Sequence, residues 1–117
     1  MNKDQTLICI SGITTPNYPD PYNENEDKKW VIEAPVGQVI KFDFITFAIE
    51  DHISCKWDWV EVIDGKGYPL LKRSCGFIKP ESFISHSDRA IVRFHSDDSI
   101  SEMGFELKYS FIVKQFL

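Results

Sequence analysis

The chain has 117 residues, with 13 Lys and Arg against 18 Asp and Glu, and a formal net charge of −5. That length describes one domain, large enough to bury a single core without several disulfide staples. The acidic balance and scattered cations argue against nucleic-acid binding through a basic surface, and no apolar run approaches the roughly 20 residues that span a bilayer as a helix.

Met1 to Gln5 lead straight into a strand-like run with no signal-peptide pattern. For a secreted protein this predicts a mature fragment in which Met1 is an added start. No Asn-x-Ser/Thr acceptor occurs, so N-glycosylation is not expected. Turn signals then recur at short intervals, at Pro19-Asp20-Pro21, Asn23-Glu24-Asn25, Pro35-Val36-Gly37, Asp64-Gly65-Lys66-Gly67, Lys79-Pro80 and Ser96-Asp97-Asp98-Ser99. Short β-branched and aromatic runs lie between them, and nine of the aromatics are Phe. The rhythm predicts an all-β antiparallel sandwich or barrel. No segment keeps a helical period, and Glu26 to Trp30 is too short and polar to count as one.

Alternation marks the faces. Ile40, Phe42 and Phe44 oppose Lys41 and Asp43. Ala90, Val92 and Phe94 oppose Arg93 and His95. Phe105, Leu107, Tyr109 and Phe111 oppose Glu106, Lys108 and Ser110, and the run to Leu117 continues that strand before it frays or leads into another module. From Trp57 to Ile63 the reading is less clean. If Val60 and Val62 point inward, so does Asp58, and a buried carboxylate there needs a partner. Trp57 and Trp59 then share the opposite face, where they are expected to cover the sheet, with one of them partly exposed.

Catalytic patterns are absent. His52, His86 and His95 are dispersed, and no His-Glu-x-x-His, Gly-x-Ser-x-Gly or phosphate-cradling Gly loop occurs. A zinc site using His52 has no supporting spacing. Cys9, Cys55 and Cys75 allow one bridge and leave one thiol over.

One set of short motifs, in order, carries more. Pro16-Asn17-Tyr18-Pro19 is followed by Phe47-Ala48-Ile49-Glu50, then Cys55-Lys56-Trp57-Asp58-Trp59, Arg73-Ser74-Cys75-Gly76, Ser96-Asp97-Asp98-Ser99 and Gly104-Phe105. This string resembles the CUB domain, from about Cys9 to Tyr109, and predicts a single CUB-like domain over residues 1–117 with its core at about 9–111. The resemblance implies a jelly-roll-like sandwich of two antiparallel sheets and an extracellular, secreted or ectodomain setting. It implies a non-catalytic protein-interaction module, whatever protease or receptor it belongs to.

In the calcium-binding members, acids at these positions hold one ion. The resemblance therefore implies calcium as cofactor, with Glu50, Asp58 and Asp97 as ligands and the carbonyls near Ser99 and Ile100 completing the shell. Tyr18 is expected to hydrogen-bond into the site. Calcium takes about 6–8 oxygen ligands, so three carboxylates from separate loops suit it. Taken alone, such acids read first as solvated loop residues. Asp51 and Asp98, beside two of the three, are expected to lie outside the site. The acidic loop end, through Glu50, Asp58, Asp97 and Tyr18, is expected to receive a Lys or Arg of a protein partner. The alternative is a carbohydrate-binding sandwich of the sperm-surface type, with Trp57, Trp59 or Tyr22 as stacking platforms.

The resemblance also pairs Cys55 with Cys75. The chain departs from the commonest pattern at a second bridge, because Lys28 stands where its later cysteine would be. Cys9 is then unpaired. It reads as a buried reduced thiol or as the link to another chain, including a Cys9-linked dimer.

Overall fold

The computed structural model describes residues 11–114, and the readings of Cys9 and of the last three residues lie outside them. Eight strands follow in chain order: β1 Ser11–Thr14, β2 Asp27–Glu33, β3 Gln38–Ala48, β4 Trp59–Asp64, β5 Pro69–Ser74, β6 Phe83–Ile84, β7 Arg89–His95 and β8 Gly104–Val113. They form two four-stranded sheets, ordered β1-β8-β3-β6 and β2-β7-β4-β5. Every pairing is antiparallel. The all-β sandwich expected from the sequence is therefore what the chain forms.

The alternation explains the packing. Ile40, Phe42 and Phe44 of β3 meet Phe105 and Leu107 of β8 on the inner face of one sheet, and Val60, Val62, Ala90, Val92 and Phe94 supply the other. Phe105 is the hub, with its ring edge-on to Phe44 at 5.7 Å, Phe94 at 5.9 Å and Trp30 at 6.4 Å. Such edge-to-face contacts add to the burial that drives the sheets together.

Sequence periodicity missed β2. Its first residues, Asp27, Lys28 and Lys29, are all exposed. As an edge strand it pairs only with β7, and a polar, charged edge is an ordinary protection against unwanted pairing. Lys28, in the place where the resemblance leads one to expect a cysteine, is one of these exposed residues.

Strand register places one end of the sandwich. Ala48 at the end of β3 pairs with Gly104 at the start of β8. Trp59 at the start of β4 pairs with His95 at the end of β7. The loops following β3 and β7 and preceding β4 and β8 therefore emerge together. Glu50, Asp58 and Asp97 belong to those loops.

Candidate metal centre

Asp58 is fully buried and Glu50 is 4% exposed, while Asp97 is half-buried. The three carboxylates bring one oxygen each within 4.8 Å of one another. Asp58 leads directly into β4, and its inward direction follows the strand parity that also buries Val60 and Val62. Its Oδ1 accepts the Asp97 amide at 2.8 Å, so the β7–β8 loop is tied to the start of β4. Its Oδ2 accepts the Tyr22 hydroxyl at 2.6 Å, and that same hydroxyl accepts the Glu50 amide at 3.0 Å.

Tyr22 is thus the residue beneath the cluster, and Tyr18 is not. The Tyr18 hydroxyl meets Thr46 Oγ1. Tyr18 lies within a turn of one proline-rich segment, and Tyr22 lies just beyond it. Asn17 adopts φ 72° just before Tyr18, whose hydroxyl reaches Thr46 of β3. The Tyr22 amide instead donates to the Glu102 carbonyl at 3.1 Å, and its ring packs edge-on to Phe94 at 5.0 Å. The sequence offers two tyrosines four residues apart and nothing local that decides between them. Burial, then the bond to Asp58, pushes the Tyr22 hydroxyl well above its ordinary range, so it remains a donor.

Glu50 Oε1 is the one buried side-chain oxygen or nitrogen among the described residues with no hydrogen-bond partner. None of the ion pairs among the described residues involves Glu50, Asp58 or Asp97. Burial, then the charges of Asp58 and Asp97, raises the Glu50 carboxyl from 4.5 to about 7. Asp58 is raised as well, chiefly by burial, against the opposing bonds from Tyr22 and the Asp97 amide. Like charges gathered in a partly dry site disfavour one another unless a cation enters.

Asp64 shows what a buried acid does when the protein itself satisfies it. It accepts the amides of Lys66 at 2.9 Å, His86 at 2.8 Å and Ser87 at 3.0 Å, and the Ser87 hydroxyl at 3.0 Å. Burial would raise its carboxyl, but those four bonds outweigh it and hold it below the usual value. Asp64 belongs to a turn rather than to the site. The Asp-Gly signal at Asp64-Gly65 marks the turn but not the long-range partners.

The remaining expected residues fall as follows. The Ser99 amide donates to Asp97 Oδ1 at 3.2 Å, and Ile100 adopts φ 47° in the same loop. Asp51 and Asp98 are exposed and lie outside the cluster. Because Asp58 is fully buried, it lends charge from beneath and offers no contact to a partner. Cys55 and Cys75 are bridged, with Cα atoms 5.4 Å apart. The bridge secures the β3–β4 loop beside Gly76, which pairs through its backbone with Ile49.

The aromatic platforms fare unevenly. Tyr22 and Trp59 are buried. Arg73 covers the Trp59 ring at 4.0 Å and His95 stacks against it at 5.4 Å, so neither residue offers a sugar a free face. Trp57 is exposed and rests against His52 at 4.1 Å.

A two-sheet antiparallel sandwich, disulfide-bonded and closed at one end by converging acidic loops, defines a β-sandwich interaction module. The CUB domain family model matches residues 6–109, and the chain belongs to the CUB family. It is 39% identical over 110 residues to human tolloid-like protein 1, covering 92% of this chain and 11% of that protein. It is 38% identical over 99 residues to bone morphogenetic protein 1 of Xenopus laevis, covering 83% of this chain and 14% of that protein. Dog cubilin is 40% identical over 95 residues, covering 80% of this chain and 3% of that protein. The chain is thus a small fraction of these relatives' length.

Among solved structures, the CUB1-EGF-CUB2 domain of human MASP-1/3 superposes with a TM-score of 0.81 at 30% identity, covering 88% of this chain and 39% of that one. The MASP-1 CUB2 domain bound to Ca2+ superposes with a TM-score of 0.75 at 29% identity, covering 86% and 90% of the respective chains. The CUB domain is a non-catalytic module that mediates protein–protein interaction. The relatives and neighbours are extracellular or ectodomain proteins, and so is the setting of this module.

Proposed function

We propose that this domain binds one calcium ion through Glu50, Asp58 and Asp97, and that the resulting loop end receives a lysine or arginine of a protein partner. The observation that carries the reading is Glu50 Oε1, buried and without a donor in the middle of three converging carboxylates. An unsatisfied buried oxygen is costly, and a cation removes that cost where no protein donor does. The donor set, three carboxylates, suits a hard cation of flexible coordination. The likeness to a calcium-bound MASP-1 CUB2 domain supports the choice of metal.

Bound calcium supplies positive charge that lets all three acids ionise together. The chain's own residues do the rest. Tyr22 holds Asp58 and the Glu50 amide in place. The Asp97 amide closes the β7–β8 loop onto Asp58, and the carbonyls of Ser99 and Ile100 would complete the ligand set. Asp97, half-buried, presents the remaining negative potential outward, with Glu50 and Asp58 buried behind it. Loops ordered before encounter lose less entropy on binding, which favours affinity.

Isothermal titration and thermal shift with calcium test this. A dissociation constant of roughly 10⁻⁴–10⁻³ M, or somewhat tighter, is expected. Asp58→Asn abolishes the response and Asp98→Asn keeps it. No response of the unaltered domain to millimolar calcium sinks the reading.

A further inference from the structure

Apolar side chains stand exposed around the acid cluster, where three loops meet. Ile53 is fully exposed in the loop between Glu50 and Asp58. Ile100 is 62% exposed in the loop of Asp97, and Met103 lies further along that loop. Phe77 and Ile78, both exposed, follow Gly76. Bonds tie these loops to one another at one end of the sandwich. Gly76 exchanges backbone hydrogen bonds with Ile49 at 3.0 and 2.9 Å, and Cys75 is bonded to Cys55. The Asp97 amide is bonded to Asp58 at 2.8 Å. A chain reaches at most about 3.6 Å per residue. Ile53 and Ile100, each three residues from an acid of the cluster, therefore lie within about 11 Å of it along the chain.

Elsewhere the exposed aliphatics are Val31 on β2, Val36 in a turn, Ile45 on β3 and Val113 at the end of β8, while Ile40, Ile49 and Leu107 are buried in the sandwich. Clustered exposed apolar residues rimming a charged centre have the composition of an interface core and mark an interaction surface rather than ordinary exterior. Ile100 adds a point. A β-branched residue at φ 47° is a sterically disfavoured choice where Asn or Gly is at ease. That loop nevertheless holds an isoleucine out toward solvent.

We propose that the calcium end recognises a lysine or arginine flanked by aliphatic side chains, and that Ile53, Phe77, Ile78 and Ile100 read those flanks. The proposal rests on the metal-centre reading above. Charge complementarity selects the occupant, because converging carboxylates on a chain of net charge −5 attract a cationic group and repel anionic surfaces. The apolar rim then separates one basic segment from another. A run of lysines leaves the rim against charge, whereas a single lysine between leucines places its charge at the acids and its neighbours against the isoleucines. Discrimination of this kind needs both the attractive pair and the mismatch that rejects competitors.

The test uses the isotopically labelled domain in calcium, titrated with two blocked peptides and followed by NMR. One is Ala-Leu-Lys-Leu-Ala and the other Ala-Gly-Lys-Gly-Ala. Tighter binding of the leucine peptide by on the order of tenfold is expected, the equivalent of burying about one aliphatic side chain. Its shifts should map to the loops of Ile53, Ile78 and Ile100. Ile53→Ser and Ile78→Ser, both fully surface changes, should remove that advantage and leave the calcium titration unaltered. Equal affinity for the two peptides, or an advantage that survives both substitutions, overturns the proposal. So does calcium-dependent capture by phosphatidylserine vesicles without peptide selectivity, which assigns the rim to lipid. A calcium response with no leucine-peptide binding overturns the proposal alone. The absence of any calcium response overturns the metal-centre reading beneath it.

Discussion

Tyr22 and Tyr18 differ by four positions and by everything that matters to the site. The Tyr22 hydroxyl joins Asp58 to the Glu50 amide, and the Tyr18 hydroxyl meets Thr46. Tyr22→Phe therefore deletes two hydrogen bonds at a buried position. Each net bond of this kind contributes about 1 kcal/mol, and one that involves a charged group somewhat more. The expected result is a loss of roughly 2–3 kcal/mol in denaturant unfolding and a weaker calcium titration. Tyr18→Phe leaves the calcium titration unaltered, and a reversal of the two outcomes returns the supporting role to Tyr18. The acids themselves were legible in the sequence because their spacing sits inside a recognisable string. The tyrosine was not, because its role depends on where a turn at Asn17 aims the chain. Glu50 adds a pH signature. Its carboxyl, raised to about 7 from 4.5, keeps a proton in the metal-free folded state that the unfolded chain has already lost. Stability from this group is fully present below the ordinary value and falls as pH rises through the folded one, by up to about 1.4 kcal/mol per pH unit. Glu50→Gln has no such proton to lose. Measured in chelator, the unaltered domain should lose stability relative to the variant as pH rises from 4.5 to about 7. A constant difference across that span contradicts the raised carboxyl.

At the scale of elements, the start of β8 governs how the sandwich closes over the site. Gly104 has φ 96°, and a Cβ there would collide with the Thr15 hydroxyl. That hydroxyl accepts the Phe105 amide at 3.1 Å, and the Thr15 amide donates to the Phe105 carbonyl at 3.2 Å. Backbone from β1 and β8 approaches closely because no side chain intervenes. Gly104→Ala must strain the backbone and displace Thr15, with an expected cost of about 2–4 kcal/mol in chemical denaturation. A cost within experimental error shows that the two segments can separate freely. Alternation revealed β3, β7 and β8 since each has one dry and one wet face. It did not reveal β2, whose first three residues are all exposed. Nor did it reveal β6, which has only two residues. Period-two reading needs a buried face and enough length to show it.

For the whole molecule, the decisive contrast is between a core that is satisfied and an end that is not. The core between the two sheets is built from aromatic and aliphatic side chains, from Ile13 to Leu107, and Tyr22 within it reaches the acids through Asp58. The Cys55–Cys75 bridge closes a separation of 20 residues, and a loop of that size contributes roughly 3 kcal/mol on the chain-entropy account. The acid cluster, by contrast, joins loops from different parts of the chain and leaves Glu50 Oε1 unpaired. A ligand that binds only the folded state stabilises it by about 2.7 kcal/mol at a hundredfold excess over its dissociation constant. For a domain of this size that corresponds to a rise in Tm of about 10 °C. Local stability need not change evenly, since the loops carry the ligands and the strands do not. Hydrogen exchange in calcium and in chelator should therefore differ at residues 50–58 and 96–103, with faster exchange when the metal is removed. The central amides of β3, β7 and β8 should keep most of their protection, and the domain should remain folded. Binding of a basic partner should weaken in chelator for the same reason, because the loops then have more freedom to lose. Exchange that accelerates throughout the sheets would mean that the metal holds the sandwich together. Exchange unchanged in the two loop segments would mean that the acids order themselves without it.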